Sequence, residues 1–279
     1  MAQSQPLKSK DLFPPVFSRH ALAYQRRLEE IMANDEARGR LRTIEFVDAK
    51  PGMRVLDLAC GPGTLSRRLA RDISPGGELV GVDLAPGMIE LARAAGIPNS
   101  RFEVMDIEQL SFPDETFDAA VCGHGLQFVP QLPVALHEAR RVLRPRARFA
   151  ASVPVERMAA SVWSTLDVVV DRWLGPAQRA VDQKPTRDTI ADTSQFAKAA
   201  RDAGFQSAEI EVVEETVSWE SAEQMVSLFT SWWDCAARME GVDADRRQKF
   251  ADDAISTLKR THPGVIETTG RNHVLLAIA

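Results

Sequence analysis

Cysteine is scarce in this chain. Its 279 residues include three, Cys60, Cys122 and Cys235, odd in number and far apart, which fits neither a disulfide framework nor a zinc cluster. A reducing compartment is expected, and no metal. Positive charge is not in excess either: 34 Lys and Arg stand against 39 Asp and Glu, a formal net charge of −5, so the basic footprint required by nucleic acid or an anionic membrane surface is missing. No apolar run approaches the roughly 18 to 20 residues that cross a bilayer. The opening MAQSQPLKSK is polar, so no signal peptide is expected. The expectation is a cytoplasmic protein, monomer or homodimer, with a small-molecule substrate and neither nucleic acid nor membrane as partner. No internal repeat or low-complexity segment is present, and tyrosine occurs once, at Tyr24.

With 44% hydrophobic and 26% charged residues the chain has the balance of a globular protein with a real core. From Met53 onward, short apolar runs alternate with longer amphipathic ones. Strands are predicted at Val55 to Ala59, Glu78 to Asp83, Phe102 to Met105, Ala119 to Cys122 and Phe149 to Val153. Helices are predicted from about Thr64, Pro86 and Leu132, where apolar residues recur at spacings of three and four. Connections of this length permit right-handed crossovers, so the fold class is α/β, a doubly wound and mostly parallel sheet. Further on, Ser194 to Ala203 reads as a helix, Ala208 to Val217 as a strand, and the closing NHVLLAIA as a strand that must pair into the same sheet. Residues 21–47, 158–174 and 221–239 read as helical.

RVLDLACGPGT, Arg54 to Thr64, runs a buried strand into a glycine turn. In an open parallel sheet, ligands bind at the carboxyl ends of strands. Without a Cβ, Gly61 and Gly63 let the backbone turn sharply and a ligand approach it, while the following helix offers free N–H groups. Asp83 ends the second strand, where a carboxylate can accept hydrogen bonds from both hydroxyls of a ribose. Asp106 ends the third, placed to accept from an exocyclic amine such as adenine's, with Ile107 as an apolar wall. Asp57 lies inside an apolar strand, where a carboxylate is costly without hydrogen bonds.

The dinucleotide fingerprint G-x-G-x-x-G wants a third glycine where this chain has Ser66. VLDLACGPGTLS, VGVDLAPGMIELAR, FEVMDIEQLSFPDETFDAAVC and LHEARRVLRPRARFAASVP, in order between Val55 and Pro154, together resemble the class I S-adenosylmethionine-dependent methyltransferases, in particular the quinone methyltransferases. The resemblance implies a seven-stranded Rossmann-like sheet with an antiparallel last strand at its end, and S-adenosylmethionine as cofactor with S-adenosylhomocysteine as product. It gives Asp57 and the turn Ala59, Cys60, Gly61 and Gly63 to the amino-acid end of the cofactor. Asp83 takes the ribose with Leu84 and Met88 alongside, and Asp106 and Ile107 take the adenine. The segment from Gly123 through His124 to Leu126 lies along the methionyl part and faces the substrate. VFSRHALAYQRRL resembles the helix that closes over the cofactor and brings Phe17 and Tyr24 near its carboxylate. In one departure, Arg146-Ala147 stand where the family has two glycines.

His124 and His20 are the candidate catalytic residues. A histidine after a strand is ordinarily a loop residue with a local hydrogen bond, but the resemblance puts His124 on the substrate side. His20 qualifies only if the N-terminal helix folds over the site. Trp163, Met225, Phe229, Trp232 and Trp233 read either as ordinary core or as an apolar roof over the acceptor; the long stretch 218–271 before the last strand favours the roof. The expected organisation is an N-terminal helical segment (1–50), a core (51–217 and 272–279) and helical cap insertions (155–190 and 218–271). The expected activity is methyl transfer to a small hydrophobic or aromatic acceptor at oxygen or carbon, as in natural-product biosynthesis. The alternatives are a cyclase or rearrangement catalyst that binds the same cofactor without methylating, and a nicotinamide-dependent oxidoreductase.

Overall fold

A computed structural model describes residues 7–157, 162–175, 180–230 and 233–279. Helices α1 (Ser9–Arg19), α2 (Ala21–Ala33) and α3 (Arg38–Val47) precede the sheet. Then come β1 (Arg54–Leu58), α4 (Thr64–Asp72), β2 (Glu78–Asp83), α5 (Pro86–Ala94), β3 (Ser100–Val104), β4 (Phe117–Gly123), α6 (Leu132–Arg141) and β5 (Leu143–Arg157). The rest comprises α7 (Val162–Leu174), α8 (Lys184–Ala191), α9 (Thr193–Asp202), β6 (Ser207–Trp219), α10 (Ala222–Phe229), α11 (Trp233–Arg238), α12 (Ala244–Thr261) and β7 (Ile266–Ile278). No described helix is long and apolar enough to cross a membrane.

The central strands are buried on both faces, which is why they read as continuous apolar runs. Leu56 and Leu58 of β1 join Phe117, Leu136 and Phe149 in one core, while Val55 joins Leu69, Ile89 and Val121 in the other. Helix starts follow local chemistry: α4 springs from Gly63 in the left-handed region (φ +82°), α5 starts on Pro86, and Asp192 caps α9 by accepting from Ser194 N and Gln195 N at 2.9 and 3.0 Å.

The sheet runs β3-β2-β1-β4-β5-β7-β6. Only β7 is antiparallel to its neighbours, and it lies between β5 and β6, not at the end of the sheet as expected. The reason is its composition. Val274, Leu275 and Ala277 are fully buried and need cover on both sides, whereas β6 carries Glu209, Glu211, Glu214 and Glu215 and tolerates the solvent edge. The turn at Arg146-Ala147 keeps a glycine-like shape: Arg146 adopts φ +67°, with its N–H donating to Ala279 O at 2.8 Å.

Two expected helices are broken. The segment 21–47 divides at Asn34 and Asp35, where Asp35 turns left-handed (φ +56°), and 221–239 divides into α10 and α11. VFSRHALAYQRRL, expected as one helix, spans the joint between α1 and α2 at His20. The tryptophan-rich segments build a core of their own, in which Trp163, Trp219, Met225, Phe229, Phe250 and Leu258 pack together, Trp163 edge-on to Trp219 at 5.8 Å.

Candidate active site

Strand order reverses between β1 and β4, so the loops at their carboxyl ends diverge and leave a crevice. The chain leaves β1 through Ala59 (φ +53°) and Gly61 (φ +54°) and leaves β4 through His124 (φ +61°). Ala59 and His124 hold side chains in left-handed backbone, a conformation that costs about 1 to 3 kcal/mol and persists where the surroundings impose it. The two loops touch: a Cβ on Gly125 would lie 2.5 Å from that of Ala59. A Cβ on Gly61 would meet nothing closer than Tyr24 at 3.9 Å, because Gly61 faces a cavity.

Asp83 and Asp106 line this cavity, and Asp57, inside β1, borders a second space lined in part by the same residues. Asp83 accepts from Gly61 N at Oδ2 and from Ala85 N at Oδ1, both at 2.9 Å; burial pushes its carboxyl up. Each oxygen keeps a further lone pair for a ligand hydroxyl. Asp57, 1% exposed, accepts from Ser66 Oγ at 2.6 Å. Burial first pushes its pKa up to about 7; Ser66 lowers it and the nearby Asp83 charge raises it. Asp106 accepts from Glu108 N at 2.9 Å through Oδ1, and Lys10 reaches over from α1 to Asp106 Oδ2 and Glu108 Oε2, both at 2.5 Å.

On the β4 side, His124 donates its N–H to Ser152 O at 2.9 Å, and Gln127 Nε2 donates to its carbonyl at 2.8 Å. Burial first and the Arg40 cation second hold the imidazole well below its usual pKa, while Asn272 acts in the opposite direction. Arg40, 7% exposed, donates to Tyr24 Oη at 3.3 Å, and its Nε has no partner among the described residues. A buried guanidinium without a carboxylate is costly. It borders a smaller space with Asp57, Cys60, Gly61 and Tyr24.

Of the residues expected at the site, Phe17, Tyr24, Ala59, Gly61, Asp83, Leu84, Met88, Asp106, Ile107, Gly123 and His124 line the larger cavity. Gly63 lines neither space and packs toward Ile97. His20 points to Glu240 at 3.0 Å and does not reach the cavity. Trp163 and Phe229, at 7% and 4% exposure, are inside the tryptophan-rich core and do not line the cavity either. Trp232 and the side chain of Trp233 lie outside the described residues. From α1, Pro14 and Phe17 line the cavity, and the Phe17 ring meets Phe128 at 5.2 Å. The layer beyond braces α1: Arg19 pairs with Glu240 at 2.7 Å, and Ala237 packs on the Leu12, Phe13 and Val16 cluster.

Residues 55–146 match the family described as "Methyltransferase domain". The 2-phytyl-1,4-naphtoquinone methyltransferase of Nostoc punctiforme is 30% identical over 202 residues, which cover 68% of this chain and 88% of that protein. The chain belongs to the class I S-adenosylmethionine-dependent methyltransferases. The like-named protein of Synechococcus elongatus is 38% identical over 146 residues, 49% of this chain and 61% of that relative's length. In fold, the chain is similar to the [4+2]-cyclase SpnF, with TM-score 0.54 and 20% identity over 98% of this chain and 97% of that one.

The residues present fit the family's cofactor. Orphaned Arg40 Nε suits the carboxylate of its amino-acid end, Asp57 the ammonium, and Asp83 the ribose. Sequence reasoning missed Arg40 and Lys10, each one of 34 basic residues; the only signal for Arg40 was its place in an amphipathic segment before β1.

Proposed function

We propose that this chain transfers a methyl group from S-adenosylmethionine to the oxygen or carbon of a small, apolar, phenolic or quinol-like acceptor. The observation that carries this reading is the placing of Asp83 and Asp106 on one space and of Asp57 and Arg40, whose Nε has no partner among the described residues, on another that shares Tyr24, Ala59, Gly61 and Gly123 with it. When bound, the cofactor supplies an already activated methyl on its sulfonium. The protein's share is alignment and exclusion of water, which can lower a barrier by about 7 to 11 kcal/mol without a strong base. Asp57 and Arg40 hold the amino-acid end, Asp83 the ribose and Asp106 the adenine amine. Phe17, Phe128, Val129 and Pro130 make the remaining wall apolar, which favours an apolar acceptor, as the names of the relatives do. His124 accepts a hydrogen bond from the acceptor hydroxyl. The helical layer of α7, α10, α11 and α12 acts as a brace for α1.

The test is incubation of the purified chain with isotopically methyl-labelled cofactor and a panel of naphthoquinols and phenols. Label in an acceptor, with S-adenosylhomocysteine released, is the expected result. A product of unchanged mass would favour the cyclase or rearrangement reading. S-adenosylhomocysteine binding with no product across the panel would overturn the acceptor class.

A further inference from the structure

Three buried polar atoms have no partner among the described residues: His124 Nε2, Asn272 Oδ1 and Arg40 Nε. They belong to one compartment. A Cβ on Gly39 would come within 3.0 Å of Asn272 Cβ, and one on Gly123 within 3.6 Å of Arg40 Cγ. The first turn of α3 therefore bridges β7 and the loop that carries His124. The same two regions are joined through β5, whose Ser152 O holds His124 N–H and whose Pro154 stands opposite Asn272. Asn272 is 2% exposed.

An unmade hydrogen bond at a buried donor or acceptor costs about 1 to 3 kcal/mol. A single bond from Nε2–H of His124 to Oδ1 of Asn272 relieves two such losses at once. We propose that Asn272 is the positioning residue for His124, accepting its Nε2–H, fixing that tautomer and leaving Nδ1 with its lone pair for the acceptor. The inference rests on the methyltransferase reading only for the identity of what Nδ1 meets. The direction of Asn272's influence agrees: an acceptor for a ring N–H favours the protonated imidazole, and Asn272 raises the pKa that burial and Arg40 lower. Arg40, on α3, is the charged group that faces the ring. Asn272 thus acts on the ring's protonation and not on the backbone that carries it.

The test is nitrogen-15 NMR of the full chain with labelled histidine, His124 being assigned by loss of its signals in His124→Gln. The expected result is a neutral His124 in the Nε2–H tautomer across neutral pH. Asn272→Leu should release it to a mixture of tautomers, and Asn272→Asp, which keeps an acceptor oxygen, should restore Nε2–H and raise the imidazole pKa. A wild-type ring protonated at Nδ1, or an unchanged ring in Asn272→Leu, would overturn the proposal; if that variant fails to fold, the wild-type tautomer and Asn272→Asp decide alone. S-adenosylhomocysteine calorimetry on wild type separates the two claims. Absence of binding there would sink the methyltransferase reading and leave the tautomer result standing.

Discussion

Ser66 Oγ donates a 2.6 Å hydrogen bond to Asp57 Oδ2, from the position where a dinucleotide-binding fold carries its third glycine. The departure from that pattern has a physical reason: with glycine there, the buried acid would lose its side-chain donor. Ser66→Ala should destabilise the protein by about 1 to 3 kcal/mol. Because the bond favours the ionised carboxyl, the loss in urea unfolding should be larger at alkaline than at acidic pH. An equal loss at both would contradict this role.

Asp57 also sets two pH dependences of opposite sign. Its folded pKa of about 7 lies above the ordinary carboxyl value, so the native state binds more protons than the unfolded state between about pH 4 and 7. This contribution to stability is fully present below that window and is lost as pH rises through 7, at most roughly 4 kcal/mol in all. A ligand ammonium beside Asp57 favours the ionised form, so S-adenosylhomocysteine should bind more tightly as pH rises through the same value. Asp57→Asn should remove both trends, as read by denaturation and calorimetry.

Arg40 should be felt only by ligands with a carboxylate. Arg40→Met is expected to weaken S-adenosylhomocysteine by about ten- to a hundredfold, as for one hydrogen bond to a charged group. It should leave 5′-methylthioadenosine, which lacks the amino-acid end, nearly unchanged. Equal weakening of both would mean that Arg40 acts on the fold and not on the ligand.

Arg146 holds a left-handed backbone (φ +67°) that glycine adopts freely. Relief of this strain outweighs the entropy that glycine adds to the unfolded chain, so Arg146→Gly should stabilise by up to about 1 kcal/mol. A thermal melt would show it; a lower melting temperature would contradict it.

Much of this was legible in the chain. Apolar runs and the turn residues after them located the strands, and strand ends located Asp83 and Asp106 on the cavity, because that placement depends on backbone position. Side chains arriving from afar were not legible. Arg40 and Lys10 come from helices ahead of the sheet, and nothing local marks them among the other cations. The place of β7 depends on pairing with β6 across the long stretch 220–265, and the tryptophans have a spacing that serves a core as well as a roof.

The most direct measurement is titration of Asp83→Ala with S-adenosylhomocysteine beside wild type, with a thermal melt to show that the variant is folded. Loss of two hydrogen bonds to a charged acceptor, at about 1.5 to 3 kcal/mol each, predicts affinity at least about a hundredfold weaker. Wild-type affinity in the folded variant would contradict the account.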